Sequence, residues 1–400
     1  MRAEGHSYES ASAEPVPLDP ATLPVPRYGE AALADLLPAL GARLGVPGLS
    51  TGLELAPADR VCVFLVDGLG WEALRNHPVE APFLHSLLPS SLNGAGVPLT
   101  SGFPSTTASS LASVGTGLPP GRHGLPGYSV RNPDSAQLMN QLRWQPWTDP
   151  HHWQPHPTVF QLAHQAGIST SQVTAPHFEH TPLTQVALSG GTFLGVLSAE
   201  DRMDTAAAQL AAADRALVYT YYAELDSNGH RYGMDSDAWR GQLTYVDRLA
   251  QRLAEQLPPR SVLYVTADHG MVDIPLDPAA RYDVDEDWEL RAGVALLGGE
   301  GRMRHLYAVP GAAGDVLTVW REVLADQAWV ASREEAVALG WFGPRVEDRV
   351  RERLGDVVVA AREDIAIVAT RTEPKESALI GMHGSATPEE QLVPLLDVRT

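Results

Sequence analysis

Runs of consecutive apolar residues alternate with stretches of helical hydrophobic spacing over most of this chain. The run at 61–66 is continuous and rich in β-branched residues, as in strands that are buried on both faces of a parallel sheet. Further strands are predicted at SQVTA, ALVYTYYAE and SVLYVTA, and helices at GEAALADLLPALGARLG, TVFQLAHQAG and QLTYVDRLAQRLAEQL. Strands that alternate with helices predict an α/β fold with a doubly wound, mostly parallel sheet flanked by helices.

The segment 285–370 has a different pattern. It contains the strand-like runs RHLYAV, AWVAS, DVVVAA and IAIVAT and two helical stretches, DVLTVWREVLA and the charged PRVEDRVRERLG. This order predicts a small α+β subdomain inserted into the α/β core, which then comprises 29–284 and 371–400. Residues 1–28 are rich in Pro, Ala and Glu and have little apolar periodicity, so they are predicted to form a flexible tail.

Composition and charge narrow the class of protein. With 400 residues, 44% of them hydrophobic, the chain can bury a large core. Its formal net charge of -20 argues against binding to a nucleic-acid polymer or an anionic membrane, because both need a basic face. Cys62 is the single cysteine, which excludes an intramolecular disulfide and a multi-cysteine zinc site. No signal peptide or membrane-spanning run is visible, so the expected location is the cytoplasm.

Acidic and histidine residues lie where the predicted strands end. In chain order they are Asp67 in VCVFLVDGLG, Asp226 and His230 in YYAELDSNGH, Asp268 and His269 in SVLYVTADHGM, and His383 in LIGMHGS. The ligands of a doubly wound sheet gather outside the carboxyl ends of its strands, so these side chains are expected to meet there. A hydroxyl-rich turn between the first two motifs, GFPSTTASSLASVGTG, can supply a nucleophile.

This set of side chains suits a two-metal phosphoester site. Asp and His are oxygen and nitrogen ligands for zinc or a similar divalent ion, and two ions can clamp the attacking and the leaving oxygen of a phosphoryl group. Several anionic ligands are needed to offset the repulsion between the ions, and three aspartates with three histidines meet that need. Each motif alone is equally compatible with an ordinary turn, a helix cap or a hydrogen-bonded pair on the surface. Four of them in this order at strand ends are hard to obtain by chance.

The chain resembles the alkaline phosphatase superfamily, and within it the type I phosphodiesterase/nucleotide pyrophosphatase branch. The resemblance rests on FLVDGLG, FPSTTASSLASVGTGLPPGRHG, AELDSNGHRYG, TADHGM and GMHG, which extend from about 60 to 385. It implies a doubly wound α/β core that carries two zinc ions. By that implication, one ion is held by Asp226, His230 and His383, and the other by Asp67, Asp268, His269 and the nucleophile.

The same resemblance places the nucleophile three residues after Pro104, at Thr107, with Thr106 as the alternative. Ser110 stands where the family often has an asparagine whose side chain contacts the phosphoryl oxygen. The resemblance therefore implies that Ser110 is a substrate-binding residue, although its side chain is shorter. The backbone N–H of Thr107 can make this contact too. Tyr128, at the start of the aromatic segment 128–156, is a second candidate substrate-binding residue.

The aromatic segment leaves two alternatives open. Trp144, Trp147 and Trp153 either wall a pocket for a flat leaving group or pack a long loop. His151, His152 and His156 have the spacing of a metal cluster but are predicted to be loop or rim residues, because the resemblance already completes both metal sites without them. His177 and His180, after SQVTA, either are solvated turn residues or line the pocket.

The sequence therefore predicts an enzyme that hydrolyses phosphodiester or nucleotide pyrophosphate bonds of a small phosphorylated substrate through a phosphothreonine at Thr107. Diesters are favoured over monoesters because no arginine accompanies the nucleophile turn; Arg122 lies in a later turn and Lys375 is distant. One alternative is a phosphomonoesterase or phosphonate hydrolase of the same superfamily, and the other is a non-catalytic metal-dependent phosphate- or nucleotide-binding protein. The ligand set favours zinc over magnesium, with manganese as the alternative.

Overall fold

The computed structural model describes residues 16–50, 52–88 and 98–400. Its central feature is a six-stranded sheet. In chain order the strands are β1 (Arg60–Val66), β2 (Ser169–Thr174), β3 (Thr192–Gly195), β4 (Ala216–Tyr222), β5 (Ser261–Thr266) and, after the second sheet, β10 (Leu395–Arg399). They lie in the order β10-β5-β1-β4-β2-β3, and all are parallel except β10, which pairs antiparallel with β5. The predicted α/β fold class is confirmed.

Helices flank this sheet, and their hydrophobic spacing explains how they pack. They are α1 (Leu36–Arg43), α2 (Trp71–Asn76), α3 (Thr107–Thr116), α4 (Val159–Gln165), α5 (Ala199–Ala211), α6 (Glu224–Tyr232) and α7 (Asp237–Glu255). In α7 the buried residues Leu243, Val246 and Leu253 recur at helical spacing. Ser236 caps α7, since its Oγ accepts a hydrogen bond from the backbone N–H of Trp239. α5 packs against both α7 and β4.

A second sheet is built from the segment that the sequence set apart. Its strands are β6 (Val294–Glu300), β7 (Met303–Ala308), β8 (Ala328–Ser332) and β9 (Val357–Ala361), in the antiparallel order β6-β7-β9-β8. Helices α8 (Ala313–Leu324) and α9 (Arg333–Ala338) lie between its strands in the chain. Trp320 of α8 is fully buried against this sheet. The limits assigned to an inserted subdomain, 285 and 370, stay a prediction.

The charged stretch 344–355 is not the long helix that its sequence predicts, because only Asp348–Arg351 is helical. Tertiary contacts account for the difference. The guanidinium of Arg349 donates to the carbonyl of Trp153, and that of Arg353 donates to the carbonyl of Gly124 at 2.7 Å. The backbone N–H of Glu347 is likewise bound to Gly121. Contacts to neighbouring segments override the helical propensity of this stretch.

The flexible tail predicted over 1–28 stays a prediction: residues 1–15 lie outside the described part of the chain, and residues 16–28 contact the second sheet. Leu23 is buried in one cluster with Trp329 and Trp341. The indole N–H of Trp329 also donates to Thr22 Oγ1 at 2.9 Å. Leu23, the partly buried Leu18 and a few hydrogen bonds hold this segment on the second sheet, although the segment has no apolar periodicity. Among the described residues, no helix is both long and apolar enough to cross a membrane.

Candidate active site

The six predicted ligands meet at the carboxyl edge of the main sheet. Asp67 directly follows β1, and Asp268 with His269 follows β5. Asp226 and His230 lie on α6, which begins two residues after β4. Since β1, β4 and β5 are parallel neighbours, their ends bring these side chains together.

His383 reaches the same place from a distant part of the chain. The two-residue strand Gly381–Met382 pairs antiparallel with Val272–Asp273, which comes shortly after His269. This pairing carries the His383 imidazole to the cluster, where it stacks on the ring of His269 with 3.7 Å between centroids. The structure therefore brings His383 to the other five ligands.

The first group of ligands surrounds His269. Its Nε2 lies 3.3 Å from Asp67 Oδ1 and 3.5 Å from Asp268 Oδ2. Thr107 Oγ1 lies 3.2 Å from the same nitrogen. All three ligands are buried. The predicted set of Asp67, Asp268, His269 and Thr107 thus converges on one point.

The second group surrounds Asp226. Asp226 Oδ2 is 3.3 Å from His230 Nε2, and Asp226 Oδ1 is 3.9 Å from His383 Nε2. The donor atoms of Asp226, His269 and His383 also lie within 4.8 Å of one another. The two groups are therefore adjacent, and His269 with His383 forms the boundary between them.

All three imidazoles are oriented by backbone carbonyls. The Nδ1 atoms of His230, His269 and His383 lie 2.7 to 2.9 Å from the carbonyl oxygens of Gly381, Gly270 and Ser105. A carbonyl can only accept, so each Nδ1 carries the proton and each Nε2 presents its lone pair to the cluster. Metal-bound histidines are oriented in this way.

The carboxylates have oxygen atoms without partners. Asp67 Oδ1, Asp226 Oδ1 and Asp268 Oδ2 are buried and accept no hydrogen bond from any described residue. An ionised carboxylate buried without a donor is costly, and three together are more so. Cations would satisfy these oxygens. The residues therefore fit two divalent ions, and nitrogen with oxygen donors suits zinc or manganese.

The pKa shifts of these residues also favour bound cations. Burial, together with the charges of Asp268 and Asp226, raises the pKa of Asp67 well above its usual range. Burial also raises the pKa of Asp268. The pKa of His383 is lowered by burial and by the neighbouring His269 and His230. Without cations the cluster takes up protons on its carboxyl groups, whereas a bound divalent ion reverses this tendency.

Close packing leaves little freedom around the cluster. Gly68 adopts φ +75°, and a Cβ there would lie 3.0 Å from Asp226 Cβ. Its backbone N–H donates to Asp268 Oδ1 at 3.2 Å, and Tyr221 donates its hydroxyl hydrogen to Asp67 Oδ2. These contacts fix the directions of the carboxylates. Tyr221 is absent from the sequence prediction, although its alternation with Tyr219 along β4 puts both on one face.

The two candidate nucleophiles have different surroundings. Thr107 is the first residue of α3, and its hydroxyl lies at the first ligand group, where the positive end of the helix dipole favours negative charge. Thr106 is buried, and its hydroxyl lies near the Glu300 carboxyl instead. The contact with His269 favours Thr107. Glu300 reaches the site from β6, and nothing local in its sequence signalled this.

The two predicted substrate-binding residues also differ. A cavity of about 630 Å³ opens on the ligand cluster, and Tyr128 lines it. The Tyr128 hydroxyl donates to Glu376 Oε1 at 3.4 Å. Ser110 does not line this cavity. It is fully buried within α3, and its Oγ has no partner among the described residues.

The three tryptophans of the aromatic segment do not wall the cavity, and two of them pack a loop. Trp144 and Trp153 are buried in edge-to-face contact with 5.9 Å between centroids, and Arg353 stacks over Trp153. Trp147 is exposed. Of the histidines, His156 pairs with Glu347, and the other four are exposed: His151, His152, His177 and His180.

The metal-free protein is expected to lose stability as the pH rises from about 6.5 to about 8. Burial raises the pKa of Glu300 to about 8, so folding keeps this carboxyl protonated, as it does that of Asp67. An acid whose pKa is raised on folding stabilises the folded state at low pH, and this contribution disappears as the pH rises toward the folded pKa. Burial lowers the pKa of His123, His305 and His383. These histidines increase the stability of the folded state as the pH rises, but their contribution no longer changes above about pH 6.5, the pKa of an exposed histidine.

Thermal unfolding of chelator-treated protein across this pH range measures the effect, with an expected decrease in Tm of about a few degrees. Protein loaded with zinc should show a flatter profile, because ligands bound to a cation no longer titrate. A Glu300→Gln variant should lose part of the slope. A Tm of the metal-free protein that rises with pH would contradict the prediction.

Residues 61–386 match the family model described as type I phosphodiesterase / nucleotide pyrophosphatase. A segment of 77 residues is 39% identical to human ectonucleotide pyrophosphatase/phosphodiesterase family member 7; it covers 18% of this chain and only 17% of the length of that relative.

Solved structures of the murine ectonucleotide pyrophosphatase / phosphodiesterase 5 are similar in fold. One is 21% identical with a TM-score of 0.66, covering 85% of this chain and 88% of that chain. The structure of an inactive Thr-to-Ala variant of the murine protein in complex with AMP has a TM-score of 0.65 and is 21% identical, covering 85% of this chain and 87% of that chain. The structure of human ectonucleotide pyrophosphatase / phosphodiesterase 5 has a TM-score of 0.63 and is 18% identical, covering 84% of this chain and 87% of that chain. At these identities the similarity establishes the shared fold.

Proposed function

Because this chain belongs to the type I phosphodiesterase / nucleotide pyrophosphatase family, we propose that it is a metal-dependent hydrolase of phosphodiester or nucleotide pyrophosphate bonds. One observation carries the proposal. Three histidines with inward Nε2 atoms and three aspartates with unpartnered oxygens converge beside the Thr107 hydroxyl, at a cavity large enough for a small phosphorylated substrate.

The proposed ligands of one ion are Asp226, His230 and His383. Those of the other are Asp67, Asp268 and His269, with the Thr107 hydroxyl. Bound divalent ions supply Lewis acidity to phosphoryl oxygens and to the attacking and leaving oxygens. Zinc is the proposed metal and manganese the alternative.

Thr107 is the proposed nucleophile in a two-step displacement. In the first step a bond forms between Thr107 Oγ1 and phosphorus while the Oγ1–H bond and the bond from phosphorus to the leaving alcohol or phosphate break, and the proton ends on the leaving group. In the second step water attacks the phosphothreonine, the bond from phosphorus to Oγ1 breaks, one proton of the water returns to Oγ1, and the second product leaves. The free backbone N–H groups in the first turn of α3 can donate to the phosphoryl oxygens throughout.

The charges on the cavity wall support a singly charged phosphodiester over a doubly charged monoester. Glu300 lies next to the second ligand group, with its Oε2 3.8 Å from His383 Nδ1. Lys375 and Arg143 line the same cavity, but both are exposed. Burial keeps the Glu300 carboxyl largely protonated, so the argument rests on the cations: among the described residues no buried Lys or Arg lines the cavity to neutralise the extra negative charge of a monoester.

Purified protein loaded with zinc is expected to hydrolyse bis(p-nitrophenyl) phosphate with a kcat/KM at least about tenfold above that for p-nitrophenyl phosphate. Chelation should lower the activity at least about a hundredfold, and added zinc or manganese should restore it. Release of p-nitrophenolate measures both effects. A ratio below one would favour a monoesterase. Bound metal without turnover of either ester would favour a non-catalytic binding protein.

A further inference from the structure

One short strand positions two ligands of the second group, His230 and His383. Gly381–Met382 carries His383 to the cluster. The Gly381 carbonyl oxygen lies 2.7 Å from His230 Nδ1, and the backbone N–H of Ile380 donates to the carbonyl of His230 at 2.8 Å. The directions of both imidazoles therefore depend on where the segment 380–382 lies.

This strand has little regular structure around it. It pairs with only two residues, Val272 and Asp273, and the chain reaches it through 369–380, where Glu376–Ala378 forms a short 3₁₀-helix. A two-stranded ladder is only marginally stable by itself, even when it is longer than this one. Contacts outside the ladder must therefore hold the segment in place.

The Arg281 side chain makes such contacts with both segments of the ladder. Beside one strand, Nε and Nη2 donate to the carbonyls of Pro275 and Ile274 at 2.8 and 3.0 Å. Beside the other strand, Nη1 and Nη2 donate to the carbonyls of Ser377 and Leu379, both at 2.8 Å. One guanidinium thus uses four of its five N–H groups to clamp the two segments together.

The first group of ligands is held in another way. Asp67 directly follows β1 and Asp268 with His269 follows β5, and both strands lie inside the six-stranded sheet. The carbonyl that orients His269 belongs to the next residue in the chain. Loss of the Arg281 clamp is therefore expected to displace the ligands of the second group and to leave those of the first in place.

We propose that Arg281 is a positioning residue that fixes the His230 and His383 imidazoles through the segment 377–382 and so sets the affinity of the second ligand group for its divalent ion. The proposal rests on the proposed function and deepens it, because it assigns the control of one metal site to a side chain outside the cavity lining. The guanidinium acts by geometry. Its positive charge alone disfavours a nearby cation, so an effect of charge would have the opposite sign.

Arg281→Met and Arg281→Lys test the clamp. Met removes every N–H donor and keeps much of the apolar stem, whereas Lys keeps the charge but has one donor atom in place of a planar fork. Arg60→Met is the matched control. Arg60 also donates to two backbone carbonyls, those of Ala213 and Pro259 at 2.7 and 3.0 Å, but it begins β1 and so lies at the opposite end of that strand from Asp67.

Competition between the chelator-treated protein and a chromophoric zinc chelator measures the Kd of each ion. Wild type and Arg60→Met are expected to bind two ions with the same two Kd values. In Arg281→Met the Kd of one ion should rise at least about tenfold, while that of the other changes less than about twofold. Unchanged Kd values in Arg281→Met, or tighter binding of either ion, overturn the proposal.

A double variant assigns the weakened ion. His383→Ala retains the first ligand group, so adding Arg281→Met to it should change the remaining Kd less than about twofold. A further loss of at least about tenfold in this background would show that Arg281 acts on both ions and would overturn the proposal. If Arg281→Met does not fold, Arg281→Lys replaces it in both comparisons, with an expected rise in Kd of at least about threefold.

Thermal unfolding and turnover separate this role from global stability and from the proposed chemistry. Arg281→Met and Arg60→Met should both lower the Tm of the metal-free protein by about a few degrees, but only Arg281→Met should weaken zinc binding. Zinc far above the raised Kd should restore its kcat to within about threefold of wild type, because all six ligands remain. If the wild type binds two ions and does not cleave bis(p-nitrophenyl) phosphate, the proposed function fails while the Kd values still decide on Arg281. If it cleaves the ester and the Kd values of Arg281→Met are unchanged, the clamp fails and the function stands.

Discussion

Replacement of Thr107 by Ala is expected to lower turnover of a phosphodiester at least about a thousandfold. The hydroxyl lies 3.2 Å from His269 Nε2 and at the first residue of a ten-residue helix, so no neighbouring group can take its position without moving the helix. The variant removes an oxygen from the proposed site but none of the imidazole or carboxylate ligands. Bound metal should therefore stay near two ions per chain by elemental analysis, while release of p-nitrophenolate nearly stops.

Thr106→Ala is the matched comparison for this prediction. Thr106 precedes α3, its side chain makes no capping hydrogen bond, and it faces Glu300. This variant should keep at least about a tenth of the wild-type turnover, since no helix cap is lost. If Thr106→Ala abolishes turnover and Thr107→Ala does not, the nucleophile is Thr106. Near-normal activity in both variants would exclude a phosphothreonine at either position.

Replacement of His383 by Ala is expected to remove about one of the two ions and to lower kcat/KM at least about a thousandfold. Its Nε2 is 3.9 Å from Asp226 Oδ1, and its loss leaves only Asp226 and His230 for the proposed second ion. Two ligands hold a divalent ion weakly compared with three. Elemental analysis after exhaustive dialysis measures the metal content, and kinetics at saturating zinc measures the activity.

His152→Ala serves as the control, because His152 is exposed and does not line the cavity. It should bind two ions and keep the wild-type activity. Addition of imidazole to His383→Ala is expected to recover part of the activity, which a misfolded variant would not do. Full metal content with full activity in His383→Ala would show that His383 is not a ligand, although it stacks on His269.

Four of the six strands of the main sheet, and the edge at which its polar residues gather, follow from the sequence alone. The segments 61–66, SQVTA, ALVYTYYAE and SVLYVTA are strands in the structure. Short runs rich in β-branched and aromatic residues favour strands that are buried on both faces. Parallel strands end at one edge. Polar residues that follow such runs, as Asp67 and Asp268 do, must therefore come together there whatever the loops between them do.

Tertiary structure decided what no local pattern records. Pairing of Gly381–Met382 with Val272–Asp273 carries His383 to the cluster, and β6 brings Glu300 to the same cavity. The charged stretch 344–355 has a helical pattern, yet its arginines bind distant carbonyls and the helix is short.

The same limit holds for two residues that line the cavity and for the N-terminal segment. Gln172 and Tyr219 read as ordinary strand residues, and only the register between β2 and β4 places their unpaired donors side by side. Leu23 lies in a segment without periodicity and is buried all the same. Periodicity reports which face of an element is buried. It carries no information on which distant atoms meet a side chain, because that depends on how the elements pack.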